Sequence, residues 1–399
     1  MTNKVAINGL GRIGRATLKL VLEQPKLELV AVNDLGSVEN MAYLLKYDTV
    51  YGRYERQVEV ADGNLVIDGR PVVYKSERDP GRLPWNDLGV DLVFECTGLF
   101  TNREGAEKHL LAGAQWVILS GPTKSPDVPT IIHGVNRLYG DMNIVSCASC
   151  TTNNITPVVE ILDRHFGVEK ALLTTVHAYT ATQALVDSPV DAKDLRRGRS
   201  AAQSFVPSST GAAHATGLAL PALQGRFDGV AIRGPVVVGS LSDLVFVLSR
   251  DTTTEEVNDV LRTEAGTEQY RGVLGVTDEP LVSADIIKDP RASIVQLDLT
   301  RVVGGNLVKV MSWYDNEWGF TNQMIKVAME HLGLNSPRRG AASGHPAPIA
   351  TSPAKGAAEV AADLEARWTE PAFDIVDQAS FDSFPASDPP PWCGGMDVR

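Results

Sequence analysis

The chain has 399 residues, 43% of them hydrophobic, and this length predicts two or three domains with sizeable cores. A formal net charge of −12 argues against nucleic acid as the main partner, because phosphate binding needs a basic surface, and no apolar run is long enough to cross a bilayer. Four cysteines make no disulfide framework and the N-terminus lacks a secretory signal pattern, so we expect a reducing, cytoplasmic environment.

The first elements follow the pattern of a dinucleotide-binding fold. Residues 4–8 predict a short buried strand, and the apolar spacing of "ATLKLVLEQ" predicts a helix. Between them lie Gly9, Gly11 and Gly14 in the pattern G-x-G-x-x-G, and a second strand ends at Asp34. This succession predicts glycines for a tight turn, a helix N-terminus for a pyrophosphate and an acid for the ribose hydroxyls.

Two later stretches, "VDLVFECTG" and "WVILSGP", are each an apolar strand followed by a turn of small residues. Ligands of open α/β sheets bind beyond the C-terminal ends of strands, so Thr97, Gly98 and Ser120 are candidate cofactor contacts. The alternative interpretation is that these three are plain turn residues. Cys96 ends the first of the two strands, and we interpret it as a buried core thiol.

The stretch "SCASCTTN" holds Cys147 and Cys150 in a C-x-x-C arrangement with three interpretations: half a zinc site, a redox dithiol, or one nucleophile with a neighbour. A structural zinc site needs four ligands, and neither the other two cysteines nor the seven histidines supply a second half-site, so no metal is predicted. Cys150 is predicted to begin a helix, whose N-terminus lowers the pKa of a thiol. This position favours a nucleophile over a dithiol.

A nucleophilic thiol needs a base, and its substrate needs a binding site. His177 ends a predicted strand ahead of the hydroxyl residues Thr180 and Thr182, although a lone histidine in a strand is more often a packing residue. The loop "PSSTGAA" offers hydroxyl groups and a glycine turn suited to phosphate oxygens. Arg233 lies on an apolar strand, where a guanidinium is costly to bury without an anion, and "LRRGR" adds three more arginines.

These motifs together resemble the family of phosphorylating glyceraldehyde-3-phosphate dehydrogenases. The matching stretches occur in the family's order from residue 3 to about residue 333: "INGLGRIGR", "VNDL", "LLKYDTVYG", "ECTGLF", "ASCTTN", "TTVHAYTATQ", "PSSTGAA" and "SWYDNEWGF". The family is similar to the erythrose-4-phosphate dehydrogenases, which stay an alternative, although "TTVHAYTATQ" favours the triose enzyme. A second alternative is a scaffold that recruits partners through its C-terminal segment.

The resemblance implies an α/β architecture with two domains. Residues 1–149 would form a Rossmann-type NAD-binding domain, completed by a C-terminal helix within 316–334. Residues 150–315 would form an α+β catalytic domain with a mostly antiparallel sheet. The stretch from about 180 to 203 matches a long loop at subunit contacts, so a homotetramer is expected.

The resemblance also implies a mechanism. The thiolate of Cys150 attacks the aldehyde carbon of glyceraldehyde 3-phosphate, and His177 holds the thiolate and takes the proton as the hemithioacetal forms. Hydride transfer to the nicotinamide leaves a thioester. Inorganic phosphate then attacks the thioester and releases 1,3-bisphosphoglycerate. The covalent link divides one difficult conversion into two easier ones.

The resemblance assigns binding residues to three groups. Those for the substrate phosphate are Thr180, Thr182 and Arg233. Those for the attacking phosphate are Ser149, Thr151, Thr210 and Gly211, with Arg197 nearby. The NAD contacts are Arg12, Ile13, Asp34, Arg78, Ser120 and Asn316, in addition to Gly9 and Gly11 of the glycine motif.

Several positions depart from the family pattern. Cys147 stands where the family usually has Asn, Asn154 stands where it often has Cys, and His214 replaces a usual lysine. The stretch "IRGPVVVGSLSD" also differs from the family. Ser188 lies near the adenosine ribose in relatives that accept NADP. Asp34 would repel a 2′-phosphate, so NAD is the expected cofactor, with NADP possible.

The composition changes at Asn335. About half of residues 335–399 are Pro, Ala, Gly or Ser, so a packed domain is not expected there. Residues 354–368 could form one short helix. We interpret this low-complexity tail as a flexible or docking segment whose partner the sequence does not identify.

Overall fold

The structure is a computed structural model that describes residues 2–137, 142–190 and 194–334. The predicted tail of residues 335–399, with its short helix, lies outside the described residues. Within the described part, the chain folds around two large sheets of eight and seven strands and one small two-stranded sheet.

The first large sheet is built by the N-terminal part of the chain. Its strands are β1 (Asn3–Asn8), β2 (Leu27–Asn33), β5 (Val58–Ala61), β6 (Asn64–Ile67), β7 (Arg70–Lys75), β8 (Leu92–Glu95), β9 (Trp116–Leu119) and β10 (Ile144–Ser146), while β3 (Tyr47–Asp48) and β4 (Gly52–Arg53) pair separately. The strand order is β10-β9-β8-β1-β2-β7-β6-β5. The six strands from β10 to β7 are parallel, and β6 and β5 continue the sheet antiparallel.

The helices α1 (Arg12–Val21), α2 (Val38–Lys46), α3 (Trp85–Leu88) and α4 (Arg103–Leu111) connect these strands. The helix predicted from "ATLKLVLEQ" therefore begins earlier, at Arg12, inside the glycine motif. Gly9 has a φ of +91°, and a Cβ on Gly14 would lie 1.8 Å from the carbonyl oxygen of Gly9. Only glycine at both positions permits this close approach of helix to strand.

The second large sheet contains the strands β11 (Val168–Ala178), β12 (Val206–Ser209), β13 (Phe227–Gly234), β14 (Ser240–Leu248), β15 (Leu274–Thr277), β16 (Ser293–Val303) and β17 (Leu307–Tyr314). Their order is β12-β13-β11-β14-β17-β16-β15, with only the β11–β13 and β15–β16 pairs parallel. The expected mostly antiparallel sheet is confirmed. The helices α5 (Cys150–Phe166), α6 (Ala212–Ala219) and α7 (Thr254–Ala265) accompany it, with 3₁₀ turns at Leu195–Gly198 and Pro221–Leu223; a further 3₁₀ turn, Pro80–Arg82, lies between β7 and α3.

The last described helix, α8 (Trp318–His331), returns to the first sheet. Met324 and Ala328 on this helix are fully buried and share one apolar cluster with Val5 and Ile7 of β1. The chain therefore builds the core of the first sheet from both ends of the described sequence. No helix among the described residues is long and apolar enough to cross a membrane.

Candidate active site

The turn after β1 carries the glycine motif at the carboxyl edge of the first sheet. Gly9, Gly11, Arg12 and Ile13 lie at this turn and at the start of α1, as the sequence predicts. Asp34 follows β2 and is buried. The backbone N–H of Leu10 donates to its Oδ2 at 2.7 Å, and Gly36 donates to its Oδ1 at 2.9 Å. The carboxylate is thus fixed beside the glycine turn, where the ribose of a bound dinucleotide would fit.

The neighbouring strand ends hold the other candidate cofactor contacts. Thr97 and Gly98 follow β8, Ser120 follows β9, and Arg78 lies exposed after β7. Asn316 lies apart from them in sequence, just before α8, and its Oδ1 accepts from the backbone of Gly239 at 3.1 Å. The structure therefore gathers residues from distant parts of the chain around one edge of the sheet.

The side chain of Arg12 spans the gap between the glycine turn and α8. Its Nε donates to Glu317 at 2.9 Å, and its Nη1 lies 2.6 Å from Asp48. Glu317 directly follows Asn316, so this ion pair ties the start of α1 to a residue that the resemblance assigns to the NAD contacts. The sequence analysis missed both carboxylates, although Glu317 stands in the quoted motif "SWYDNEWGF".

Cys150 begins α5, as predicted. Ser149 caps the helix, since its Oγ accepts from the backbone N–H of Thr152 at 3.1 Å. The side chain of Asn153 donates to the carbonyl of Cys147 at 2.8 Å and fixes the entry of the chain into the helix. These bonds hold the thiol in the first turn, where backbone N–H groups point toward it.

The thiol, an imidazole and a guanidinium meet between α5 and the second sheet. The Sγ of Cys150 lies 3.4 Å from the Nε2 of His177, which is the next-to-last residue of β11. Arg233 is the register partner of His177 on β13, and its Nη1 lies 2.8 Å from the Nδ1 of His177. All three residues are at most 5% exposed, so water screens their interactions weakly.

The contacts of His177 define two tautomers. A guanidinium can only donate, so when Arg233 bonds to Nδ1 the proton lies on Nε2 and points at the sulfur. The carbonyl of Ala178 is also 2.7 Å from Nδ1, and it can accept only if Nδ1 carries the proton. In the first tautomer His177 stabilises a thiolate, and in the second its Nε2 accepts a proton from the thiol.

Burial dominates the protonation of this pair. It raises the pKa of Cys150 to about 11, against the lowering effects of the Arg233 charge and of hydrogen bonds from Thr151. The backbone N–H groups at the start of α5 lower the pKa of the thiol, as expected, but the desolvation of a fully buried thiolate is the larger effect. Burial and then Arg233 lower the pKa of His177 well below its usual range, which keeps the imidazole neutral.

A row of buried hydroxyl groups lies behind the thiol. The hydroxyl of Tyr314 is 2.9 Å from that of Thr151 and 2.8 Å from that of Thr175, and its ring meets the imidazole of His177 edge-on at 5.8 Å. The sequence analysis did not single out Tyr314 or Thr175. The only signal for Tyr314 was its place in "SWYDNEWGF".

Three of the predicted phosphate ligands line a small cationic pocket near Cys150. Thr182, Arg197 and Arg233 line it together with Gln183 and Ser208, and the hydroxyls of Thr180 and Thr182 are 2.9 Å apart. Burial lowers the pKa of Arg233 to about 10 and also lowers the pKa of Arg197. Two guanidiniums at one buried pocket favour an anionic ligand.

Thr210 and Gly211 stand at the start of α6. The hydroxyl of Thr210 accepts from the backbone N–H of Ala212 at 3.2 Å, and Gly211 is the first residue before the helix. His214, the unusual residue of this loop, is exposed on the same helix. Ser149, Thr151, Thr210 and Gly211, the residues predicted for the attacking phosphate, thus occupy two helix starts, those of α5 and α6.

Cys147 and Asn154, two of the positions that depart from the family pattern, are both buried. Asn154 donates to Ser312 at 2.9 Å and to the carbonyl of Trp313 at 3.1 Å, and so binds α5 to β17. Cys147 packs in the apolar cluster of the first sheet, and burial raises its pKa.

The interpretation of Cys96 as a buried thiol is confirmed. No group of three or more His, Cys, Asp or Glu residues in the described ranges could hold a metal ion.

The fold and the site define a class, the oxidoreductases that join a nicotinamide-dinucleotide-binding sheet to a second, sheet-rich domain. The family described as glyceraldehyde 3-phosphate dehydrogenase matches twice: its NAD binding domain over residues 3–103 and its C-terminal domain over residues 149–316. The chain belongs to the glyceraldehyde-3-phosphate dehydrogenase family, and the resemblance found in the sequence is confirmed.

Three similar proteins carry the name glyceraldehyde-3-phosphate dehydrogenase. The one from Zymomonas mobilis is 49% identical over 334 residues, which are 83% of this chain and 98% of that protein. The one from Streptomyces coelicolor is 46% identical over 333 residues, and that from Geobacillus stearothermophilus 46% identical over 331 residues. In both cases the match covers 82% of this chain and 98% of the relative.

Proposed function

We propose that the chain catalyses the phosphorylating oxidation of D-glyceraldehyde 3-phosphate to 1,3-bisphosphoglycerate with a nicotinamide dinucleotide and inorganic phosphate. The observation that carries this proposal is the buried Cys150–His177 pair, whose sulfur and Nε2 are 3.4 Å apart beside a pocket lined by Arg233 and Arg197. A nucleophile, a base and an anion site within one buried space suit acyl transfer from a phosphorylated aldehyde.

Cys150 attacks the aldehyde and carries the substrate as a thioester after oxidation. His177 takes the thiol proton at Nε2, because its lowered pKa leaves the imidazole neutral. Arg233 supplies positive charge next to the sulfur and opposes the burial that disfavours the thiolate. Excluding water from this buried space protects the thioester until phosphate arrives.

Two groups of residues bind the two phosphates. The hydroxyls of Thr180 and Thr182 and the guanidinium of Arg233 hold the phosphate of the substrate. The attacking phosphate is bound by Ser149, Thr151, Thr210 and Gly211, with Arg197 nearby. Helix starts suit this second role, because unpaired backbone N–H groups and the helix dipole favour anions.

The carboxyl edge of the first sheet would hold the dinucleotide, which would supply the hydride acceptor for the carbon that is being oxidised. Its ligands are Gly9, Gly11, Arg12, Ile13, Asp34, Arg78, Thr97, Gly98, Ser120 and Asn316. The residues at the glycine turn fit a dinucleotide, because the glycines leave room there. A Cβ at Gly9 or Gly14 would fill the space beside the turn. The fixed carboxylate of Asp34 supports NAD over NADP, because a 2′-phosphate would meet a negative charge.

The domain boundaries and the assembly belong to the same proposal. Residues 1–149 with the helix within 316–334 form the NAD-binding domain, and residues 150–315 form the catalytic domain. A cytoplasmic homotetramer accounts for the apolar side chains on the loop before β12, where Leu185, Val186, Leu195 and Phe205 are each at least 65% exposed. Exposed apolar side chains concentrated in one loop favour a protein contact there.

An absorbance assay at 340 nm tests the activity. Wild-type protein with glyceraldehyde 3-phosphate and NAD should form NADH only when phosphate or arsenate is present. Faster turnover of erythrose 4-phosphate, without a requirement for phosphate, would contradict the triose assignment. An equal or higher kcat/KM with NADP would contradict the proposed role of Asp34.

A further inference from the structure

A buried carboxylate that has no part in the proposed chemistry lies beneath the cofactor edge. Glu95 is the last residue of β8 and is 2% exposed. Within the described ranges, Glu95 forms no ion pair with a Lys or Arg. Its partner there is the imidazole of His109. Burying a carboxylate without a full positive charge is costly, so its surroundings must supply hydrogen bonds instead.

Each oxygen of Glu95 accepts from two donors. Oε2 lies 2.6 Å from the Nδ2 of Asn8 and 2.9 Å from the Nε2 of His109. Oε1 accepts from the backbone N–H of Thr97 at 2.8 Å and from the hydroxyl of Thr97. The four donors occupy the acceptor positions of an ionised carboxylate.

The proton on His109 is fixed by its other neighbour. The indole Nε1 of Trp85, which can only donate, lies 2.9 Å from the Nδ1 of His109. Nδ1 must therefore accept, and the imidazole proton lies on Nε2, directed at Glu95. Trp85 and His109 are both fully buried on α3 and α4, so these helices hold the donor rigidly against the strand end.

The carboxylate belongs to a row that crosses three neighbouring strands. Asn33, Asn8 and Glu95 end β2, β1 and β8 and are register partners. Asn33 donates to the Oδ1 of Asn8 at 2.7 Å, and Asn8 donates onward to Glu95. Each of the three residues lies next to candidate cofactor ligands. Asn33 precedes Asp34, Asn8 precedes Gly9, and Glu95 lies two residues before Thr97 and three before Gly98.

The loops held by this row touch one another. A Cβ on Gly9 would lie 2.9 Å from the backbone nitrogen and the Cγ2 of Thr97. The spacing between the glycine turn and the Thr97 loop is therefore narrow, and a small displacement of either loop would close the approach to the turn.

We propose that Glu95 is a positioning residue for the dinucleotide: its buried carboxylate, oriented by His109, locks the loops after β1 and β8 at the spacing that the cofactor needs. This inference rests on the proposed cofactor site. Glutamine at this position has the same shape, but its amide NH₂ would replace one of the two carboxylate oxygens. Each of these oxygens faces N–H donors, so the NH₂ would meet a donor in either orientation of the amide. The loops would lose their fixed spacing, and cofactor binding would then have to order them.

The test is Glu95→Gln, with Glu264→Gln as the matched control. Glu264 is another largely buried carboxylate that pairs with a histidine, at 2.7 Å from the Nε2 of His165, but it also pairs with Arg164 at 2.9 Å and lies on α7 beside the second sheet. We expect Glu95→Gln to raise the NAD dissociation constant about ten- to hundredfold, with kcat at saturating NAD within about threefold of wild type. Glu264→Gln should leave NAD binding unchanged. A folded Glu95→Gln protein that binds NAD as wild type does would overturn the proposal.

A pair of variants at His109 gives a second readout that does not depend on Glu95 itself. His109→Gln keeps an N–H donor near the Nε2 position, whereas His109→Met has similar size and no donor. We expect weaker NAD binding in His109→Met and recovery in His109→Gln, at matched melting temperatures. Equal affinities in the two variants would count against the proposal. Wild-type protein that fails to bind NAD would instead contradict the proposed function.

Discussion

At the scale of single residues, the site combines a thiol, an imidazole and a guanidinium that are all taken out of water. Burial raises the pKa of Cys150 and lowers that of His177, and each shift favours the uncharged form. Arg233 acts on both groups through one positive charge, since it favours the thiolate and disfavours the imidazolium. Arg233, whose charge acts on the nucleophile and the base, is thus also a proposed ligand of the substrate phosphate.

The first prediction concerns the nucleophile and the base. Cys150→Ser should abolish oxidation while NAD still binds, because the dinucleotide edge is formed by other residues. His177→Asn should slow the acylation step by roughly two to four orders of magnitude, the usual effect of losing a general base. Stopped-flow measurement of the first turnover checks both variants. Substantial turnover in Cys150→Ser would exclude the assigned role.

The second prediction concerns Arg233 and pH. Removing its charge raises the pKa of the thiol further, so at any pH below that pKa the thiolate fraction falls. Arg233→Gln should therefore slow the alkylation of Cys150 by neutral iodoacetamide, roughly tenfold for each unit of pKa, and shift the rate profile to higher pH. Arg196→Gln is the control, because Arg196 is exposed and pairs with Asp194. Equal profiles in wild type and Arg233→Gln would show that this charge does not act on the thiol.

At the scale of secondary structure, local signals were enough to predict several elements, among them β1, β2 and α1, but not their contacts. The start of α5 was predicted from the polar residues that follow Cys150 within one helical turn. The row from Asn33 to Glu95 could not be predicted, since it depends on the register of β2, β1 and β8. Alternation predicts that Glu95 and Val93 share a face of the sheet, but not that Trp85 and His109 cover that face.

The third prediction concerns α8. Met324 is fully buried between this helix and the first sheet, so Met324→Ala should lower the free energy of unfolding by about 2–5 kcal/mol. Met142→Ala serves as control, because Met142 is 40% exposed, and its effect should stay below about 0.5 kcal/mol. Urea unfolding measures both. A negligible loss for Met324→Ala would mean that the helix contributes little to this core.

At the scale of the whole molecule, the exposed apolar side chains of the loop before β12 need a partner surface. The resemblance predicted subunit contacts in this loop from sequence alone, but only the structure shows which of its side chains point outward. Four exposed apolar side chains within one loop distinguish this loop from the singly scattered apolar residues that any protein exposes.

The fourth prediction concerns assembly. Phe205 is 72% exposed, and Phe205→Ser should weaken the association of subunits and lower the mass measured by light scattering at low protein concentration. Far-ultraviolet circular dichroism should be unchanged, because Phe205 belongs to none of the five apolar core clusters among the described residues. An unaltered mass across the concentration range would remove this residue from the proposed interface.

The fifth prediction concerns the tail. Every proposed site residue precedes position 317, and α8 ends at His331. A chain that ends at Asn335 should therefore keep its kcat and its mass in solution, since the composition of the tail does not support a packed core. Enzyme assays and light scattering on the truncated and full chains check this. A large loss of either property would show that the tail belongs to the folded enzyme.

The return of α8 to the first sheet has a consequence for genetic recombination between such enzymes. A single crossover near residue 149 would join the strands β1–β10 of one parent to the α8 of the other, and the mismatch would fall in the cluster around Val5, Ile7 and Met324. Exchange of the region between Cys150 and Asp315 as one insert leaves that cluster intact, but it needs two crossovers. Chimeras with one joint should therefore be less stable than chimeras with two, whatever the identity of the exchanged half.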